Sequence, residues 1–370
     1  MKVFVGPFTG MPHSLAFEQC KQFEIVEESE QADIIIIVGN HPDLTALRPI
    51  VRPHHVLVLL EIFHMDHHMS YEYYSTHAKA FFTPLTKKVL VVHTNLSIRN
   101  NPMMVFYDHM LDRQKLYCTE YDENLRLNGR VWTYGCTKEM FELRPINKTR
   151  FKKFLGLMRV YHPGPADSEP SPRMRYRTII KKLLSDSGDA FVSDSNASAA
   201  FLPHGATPGI LDTVCSKTGG SWFPVSYVYY DSSVVSVYTE TLVHNMHGKA
   251  SMVTEKSFDP LLRGNFILPF GYTGLIKDIL AYGFRLPQWI DYSYDSIEDN
   301  EERFAAYLSS LNNLIGIPAE TMYQYGLSDY DILKHNREVV YNTPFMYPLL
   351  AEKIQACIDV NEANDWQTQC

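Results

Sequence analysis

Four short runs in the first hundred residues are apolar almost throughout: Lys2–Val5, Asp33–Val38, Val56–Leu60 and Val89–His93. A run with no polar face must be covered on both sides, the environment of a strand inside a parallel sheet. Parallel neighbours cannot be joined by a hairpin, so helix-length crossovers have to lie between them. Ser14–Phe23 is one such segment, and a polar stretch around Tyr71–His77 is another. The pattern predicts a layered α/β fold. Ala80–Phe82 also reads as strand-like, Phe106–Leu116 as a helix and Val131–Tyr134 as a short strand.

Around Arg144–Arg150 the composition turns polar and a second series begins. Its strands are expected at Phe154–Met158, Phe191–Ser193, part or all of Trp222–Tyr229, Val234–Tyr238 and Asn265–Leu268. Its helices are expected at Tyr176–Leu184, Phe258–Arg263, Leu275–Tyr282 and Glu301–Leu314, with Pro344–Val360 helical after its proline. A chain of 370 residues suits two domains. The expected division is an N-terminal α/β domain over 1–148, a second over 149–345, and a terminal helix and tail over 346–370.

Hydrophobic residues make up 45% of the chain, and acids exceed bases by 42 to 34, a net charge of −8. That balance argues for a packed protein and against a broadly basic nucleic-acid surface. The six cysteines are scattered with no C-x-x-C pair, as expected of free thiols in a reducing compartment. The opening Met1-Lys2-Val3-Phe4-Val5-Gly6 is too short and too quickly broken for a signal peptide, and no apolar run approaches bilayer length. A soluble protein of the cytoplasm is expected.

The densest chemistry lies in Met252–Leu268, where Thr254-Glu255-Lys256 precedes an apolar helical turn, a glycine and a short strand. A carboxylate can accept from two vicinal hydroxyls, such as those of a ribose, while a neighbouring ammonium neutralises a diphosphate. A helix start adds backbone N–H groups. The plainer reading is an exposed Glu-Lys pair, worth little energetically. Upstream, Phe151–Arg159 is followed by a Pro/Gly-rich loop and then by Arg173-Met174-Arg175-Tyr176-Arg177 at the head of a helix. Downstream stand Gly283-Phe284 and the Asp/Tyr-rich Asp291–Asp299.

This order resembles the donor half of GT-B glycosyltransferases, nearest to the α1,3-fucosyltransferase family and related enzymes of phages and large viruses. The resemblance spans roughly 151–345, and Arg175 and the Glu255-Lys256 pair fall on its motif positions. It departs in a longer Val160–Pro172 loop and in Val237–Val243, where a Glu-Asn-Ser run is expected, so fucose is not implied. What the resemblance implies is two Rossmann-like domains facing across a cleft, with the last helix returning to the first. It also implies metal-independent transfer from a nucleotide sugar, UDP- or GDP-linked, with no other cofactor. The acceptor is a glycan hydroxyl or a hydroxymethylated pyrimidine in DNA, and in a viral setting the compartment is the host cytoplasm.

For the leaving diphosphate, Arg175 and Lys256 are the candidates, with Arg159 and Arg177 as alternates. Glu255 is set against the ribose. Tyr238 and its neighbours Thr239 and Glu240 border the pocket or are ordinary strand-end residues, and Thr254 heads the motif. Gly271 opens a glycine turn at a strand's carboxyl end, a place where such sheets bind ligands, or a plain loop. A general base is sought in the first domain: Glu61 closes an apolar strand, with Asp66, Asp108 and His13 behind it. The His64, Asp66, His67, His68 cluster lacks metal-ligand spacing and reads as a polar loop. The Asp291–Asp299 block either faces an acceptor or, from Asp299 on, forms the capped acidic start of a helix. A competing class is a catalytically inactive protein that binds a sugar nucleotide or a glycan.

Overall fold

Ile34, Ile35, Ile36 and Ile37 occupy the middle of a parallel sheet, each 7% exposed or less. The computed structural model that shows this describes residues 1–5, 22–38, 44–60, 79–93, 105–106, 143, 145–156, 158, 172–192, 227–240, 242–243, 251–343, 349–364 and 366. The strands are β1 (Lys2–Val5), β2 (Glu24–Ile25), β3 (Ile34–Val38), β4 (Val56–Leu60), β5 (Val89–His93), β6 (Val105–Phe106), β7 (Lys152–Gly156), β8 (Ala190–Val192), β9 (Ser233–Thr239) and β10 (Phe266–Phe270). The longer helices are α1 (Pro172–Ser187), α2 (Glu255–Arg263), α3 (Leu275–Ala281), α4 (Asn300–Gly316), α5 (Ala319–Ser328), α6 (Tyr330–Asn342) and α7 (Leu350–Ala363).

The first sheet runs β2-β1-β3-β4-β5-β6 and is parallel throughout. Side chains alternate between its faces. Ile34, Ile36, Val56, Val58, Leu90 and Val92 pack with Leu350, Ala351, Ile354, Cys357 and Ile358 of α7. On the other face Ile35, Ile37, Leu57, Leu59, Val89 and Val91 meet Leu47, Val51, Phe82 and Leu85. Two covered faces explain the uninterrupted apolar runs, and each buried Ile, Leu or Val contributes about 1.5–3 kcal/mol. The C-terminal helix thus covers the first sheet, and an exposed ion pair of 2.9 Å between Lys88 and Glu362 lies at the edge of this packing.

The second sheet runs β10-β9-β7-β8, again parallel. Its strands carry buried polar groups, each with partners elsewhere. Ser236 in β9 donates to Asn265 Oδ1 at 3.0 Å, and Asn265 Nδ2 donates to the Ser233 carbonyl at 2.8 Å. Lys153 in β7 is 3% exposed. Its ammonium donates to the Ile315 and Ile317 carbonyls at 2.6 and 2.9 Å, where a cation complements the carboxyl end of α4. Pro172 starts α1, where a missing N–H costs nothing, and Tyr176, Ile180 and Leu184 form its buried stripe.

The α/β class matches the sequence expectation, and most of the expected strands and helices stand within two or three residues of their places. Three segments differ. Ala80–Phe82 is helical, with Thr83 N donating to the Lys79 carbonyl; Phe82 is 1% and Phe81 39% exposed, so an apolar triplet supplied one buried contact rather than a strand. Tyr227–Tyr230 is a helical turn where a strand reaching Tyr229 was expected. Phe106 ends a two-residue strand instead of starting a helix. The expected elements at 14–21, 71–77, 107–116 and 131–134 lie outside the described residues.

Candidate functional site

Adjacent strands β7 and β9 send the chain in opposite directions. From β7 it passes through α1 to β8 on one side, and from β9 through α2 to β10 on the other. Such a reversal marks the carboxyl ends of the two strands as the place where open parallel sheets bind ligands. The amino ends of α1 and α2 both reach the carboxyl end of β9, as the contacts of Arg177 and Glu240 show.

Thr254 is the N-cap of α2, in extended conformation, and its side chain accepts from Lys256 N at 3.3 Å. The same oxygen lies 3.3 Å from the Lys256 ammonium. Glu240, directly after β9 and 0% exposed, takes three hydrogen bonds from this first turn. Thr254 N donates to it at 2.9 Å, the Thr254 hydroxyl at 2.6 Å and the Ser257 hydroxyl at 2.8 Å. Tyr238 donates in turn to Ser257 at 2.7 Å, and burial with Glu240 nearby holds its phenol well above the usual range, so it stays a donor. Thr254 and Tyr238 are therefore parts of a buried network beneath Lys256, which is itself half-buried. Glu255 is the first residue of α2; its side chain lies outside the described set.

Along α1, Arg175 and Arg177 point in different directions, since two helical positions differ by about 200°. Arg177 is 5% exposed and its Nε donates to Thr239 Oγ1, the last side chain of β9, at 2.6 Å. Arg175 is exposed and pairs with Glu301 in the first turn of α4, to which the Tyr176 hydroxyl also donates at 2.7 Å. Of the two, Arg177 is the one bonded to the end of β9.

Gly271 follows β10 and is buried; a Cβ there would stand 2.5 Å from Leu275 Cδ2 and 3.3 Å from Glu240 Cβ. Close packing, not turn conformation, requires the glycine. Its carbonyl accepts from Arg303 Nε at 3.2 Å. Arg303, 1% exposed, also donates to Thr273 Oγ1, Asn300 Oδ1 and the carbonyls of Val243, Ile297 and Glu298. One guanidinium thus ties together the loops after β9 and β10 and the start of α4. Asp295 caps α3 from outside, accepting from Ile276 N at 3.0 Å, and burial pushes its carboxyl up to about 6 despite the N–H donors. Tyr292 and Tyr294 donate to the Ile267 and Pro269 carbonyls of β10 at 2.8 and 2.7 Å. This part of the Asp/Tyr block supports the sheet. Asp299 is the N-cap of α4, accepting from Glu301 N and Glu302 N at 2.9 Å.

Of the residues expected at the site, Tyr238, Thr254 and Lys256 are joined through Glu240 and Ser257 just after β9; Arg177, the alternate, bonds to Thr239 at the end of that strand, and Arg175, the first choice with Lys256, pairs with Glu301. Glu240 is expected from the sequence either to border the pocket or to be an ordinary strand-end residue, and neither Ser257 nor Arg303 is given a role there; a hydroxyl one turn into a capped helix is the signal that flags Ser257. Glu61, Asp66, Asp108, His13 and Arg159 lie outside the described residues, as do His64, His67 and His68. Among the described residues no group of three His, Cys, Asp or Glu could hold a metal ion, and no helix is long and apolar enough to cross a membrane. Lys87 and Lys88 immediately precede β5, at the amino end of the first sheet and away from the carboxyl ends. Chemically, the arrangement offers an ammonium, a guanidinium and two helix amino ends at one switch point, a setting for a polyanion.

No family model and no curated protein matches the chain. The chain is similar to α1,3-fucosyltransferases of known structure. A crystal structure of an α1,3-fucosyltransferase with GDP aligns over 97% of this chain and 90% of that one, at 11% identity and a TM-score of 0.49. Another α1,3-fucosyltransferase structure aligns over 99% and 90%, at 11% identity and a TM-score of 0.36. The likeness concerns the course of the chain; what each side chain does follows from the contacts above.

Proposed function

We propose that the chain is a glycosyltransferase of the GT-B kind, moving a sugar from a UDP- or GDP-linked donor to a hydroxyl without a metal ion. What supports this reading is that Arg177 of α1 bonds to Thr239 at the carboxyl end of β9, while Thr254 and Lys256 at the start of α2 are tied to Glu240, the residue after it. In such a transfer the acceptor oxygen attacks the anomeric carbon, the bond to the diphosphate breaks, and the diphosphate leaves with the electron pair. Lys256, with Arg177 or Arg175, would offset the charge that builds on it. Arg159 stands close after β7 in sequence and belongs to the same set. Glu255 would hold the ribose, while Tyr238, Thr254 and Gly271 keep the pocket's floor in shape.

In this reading residues 1–148 form the acceptor lobe, 149–345 the donor lobe, and α7 within 346–370 joins the first lobe. Separate sheets with separate cores, and the packing of α7 on the first sheet, support that division. The base that takes the acceptor proton is assigned to Glu61, next to the end of β4, with Asp66 and Asp108 as further candidates. The acceptor is a glycan, or a hydroxymethylpyrimidine in DNA if the protein is viral. A salt-steep affinity for duplex DNA would select the second.

A thermal-shift screen of UDP- and GDP-sugars tests the donor, since a bound ligand raises apparent stability. Lys256→Ala is expected to lower turnover by about 10²–10³-fold, as for removal of a transition-state donor, with little change in melting temperature. Undiminished turnover in that variant, or no shift with any nucleotide sugar, overturns the reading. Donor binding without donor hydrolysis or transfer would point instead to an inactive binding protein.

A further inference from the structure

We propose that Glu240 is a positioning residue for the phosphate-binding cation of this site, acting through Thr254 on Lys256. The inference rests on the reading of the site as one for a nucleoside diphosphate. Glu240 and Thr254 are both 0% exposed, so their contact is shielded from water. The carboxylate has two acceptor oxygens, and both are used by the first turn of α2: Oε1 by Thr254 N and Ser257 Oγ, Oε2 by Thr254 Oγ1.

The direction of these bonds matters. Thr254 Oγ1 carries one proton, and at 2.6 Å from Glu240 Oε2 that proton is given to the carboxylate. The lone pairs of Oγ1 are thereby turned toward Lys256, whose backbone N and ammonium both lie 3.3 Å away. Ser257 is ordered by the same logic, receiving the Tyr238 hydroxyl proton and passing its own to Glu240. Glu240 thus orients the helix start and the ammonium together. Its own place is fixed by its backbone N, which donates to the Phe270 carbonyl at 2.8 Å, and by the absence of a side chain at Gly271. An amide at position 240 would present an NH₂ to a hydroxyl donor and reverse the chain of protons.

The test compares the affinities of GDP and UDP with those of guanosine and uridine, by calorimetry or NMR titration, for wild type, Glu240→Gln, Thr254→Val and Thr254→Ser. The gap between nucleoside diphosphate and nucleoside reads the phosphate contacts, and a role confined to folding does not move it once the variants are folded. Misplacing a charged group by about 1 Å costs on the order of 100-fold, so a fall of about 10- to 100-fold in that gap is expected. Glu240→Gln and Thr254→Val should both show it. Thr254→Ser, which keeps the hydroxyl, should restore the gap. If Glu240→Gln does not fold, the Thr254 pair carries the comparison alone. An unchanged gap in folded Thr254→Val, with wild type binding GDP or UDP, overturns this proposal and leaves the functional reading standing. Wild type that binds neither diphosphate overturns both.

Discussion

Arg303→Met removes the guanidinium that joins three loops while keeping an unbranched side chain in the same volume. Among its acceptors, the Glu298 carbonyl belongs to an exposed residue that water can serve, and the Ile297 carbonyl keeps the Thr273 hydroxyl at 3.2 Å. The carbonyls of Val243 and Gly271 belong to buried residues and are the ones left without this donor. A buried carbonyl that loses its donor costs about 1–3 kcal/mol, so the two together cost about 2–6 kcal/mol. Burial already pulls the guanidinium's pKa down, the sign of a desolvation cost that disappears with the charge. The expected net loss is about 2–4 kcal/mol, below the gross figure for that reason. Arg303→Lys keeps a charge but offers three donors without the planar fork, and should fall between the two. Urea unfolding followed by tryptophan fluorescence measures this directly. Trp289 lies 5.3 Å from Phe266 of β10, ring to ring, and donates to Asp329, so its signal reports on the second sheet. A loss under about 1 kcal/mol with an unchanged slope against urea would refute the claim that Arg303 holds these loops.

Two further outcomes concern stability alone. Gly264 ends α2 at φ 87°, and a Cβ there would stand 2.3 Å from Leu143 Cδ1. Gly264→Ala should therefore cost about 1–3 kcal/mol, from left-handed strain plus displacement of Leu143, and a melting temperature equal to wild type would count against it. His55 is 0% exposed; its Nδ1 accepts from Arg52 N at 3.0 Å, while its buried Nε2 has no hydrogen-bond partner among the described residues. Burial first, then the neighbouring His54 and Arg52, lower its pKa below 6.5. Because the unfolded chain binds the proton more readily, the contribution of neutral His55 is intact above about pH 6.5 and is lost as pH falls below it. His55→Asn keeps an acceptor near the Nδ1 position, so its stability should fall less than wild type between pH 7.5 and 5.5; parallel curves would refute the assignment.

The strands of the first sheet were legible because both of their faces are covered by apolar side chains, which leaves an unbroken signal in the sequence. The second sheet is written less openly. Its polar members Lys153 and Ser236 are satisfied by Ile315, Ile317 and Asn265, which a local window does not contain. α5 and α6 were not anticipated at all. α5 buries only Met322 and Gly326, and the buried stripe of α6 includes Asn336, which bonds to the backbone of Arg285. Neither offers enough apolar positions for a helical period to stand out. At the site, the sequence places the helix start at Phe258, three residues late, so the Thr254 cap is not read from it although cap and helix are neighbours in sequence. Arg303 is not legible either, since its acceptors come from separate loops that only the fold brings together.

The rotation of α1 decides what its arginines contact. Tyr176 is fully buried against Phe270 and Phe304, at ring separations of 5.0 and 4.3 Å, and this fixes the helix about its axis. With Tyr176 inward, Arg177 falls beside the end of β9 and Arg175 turns outward to Glu301. Glu301 accepts from both Arg175 and the Tyr176 hydroxyl, whereas Arg177 Nε donates to the Thr239 hydroxyl. Both members of the Arg175–Glu301 pair are exposed, so it contributes little free energy to stability. The Arg175–Glu301 pair therefore joins α1 to α4, and Arg177 joins α1 to the end of β9.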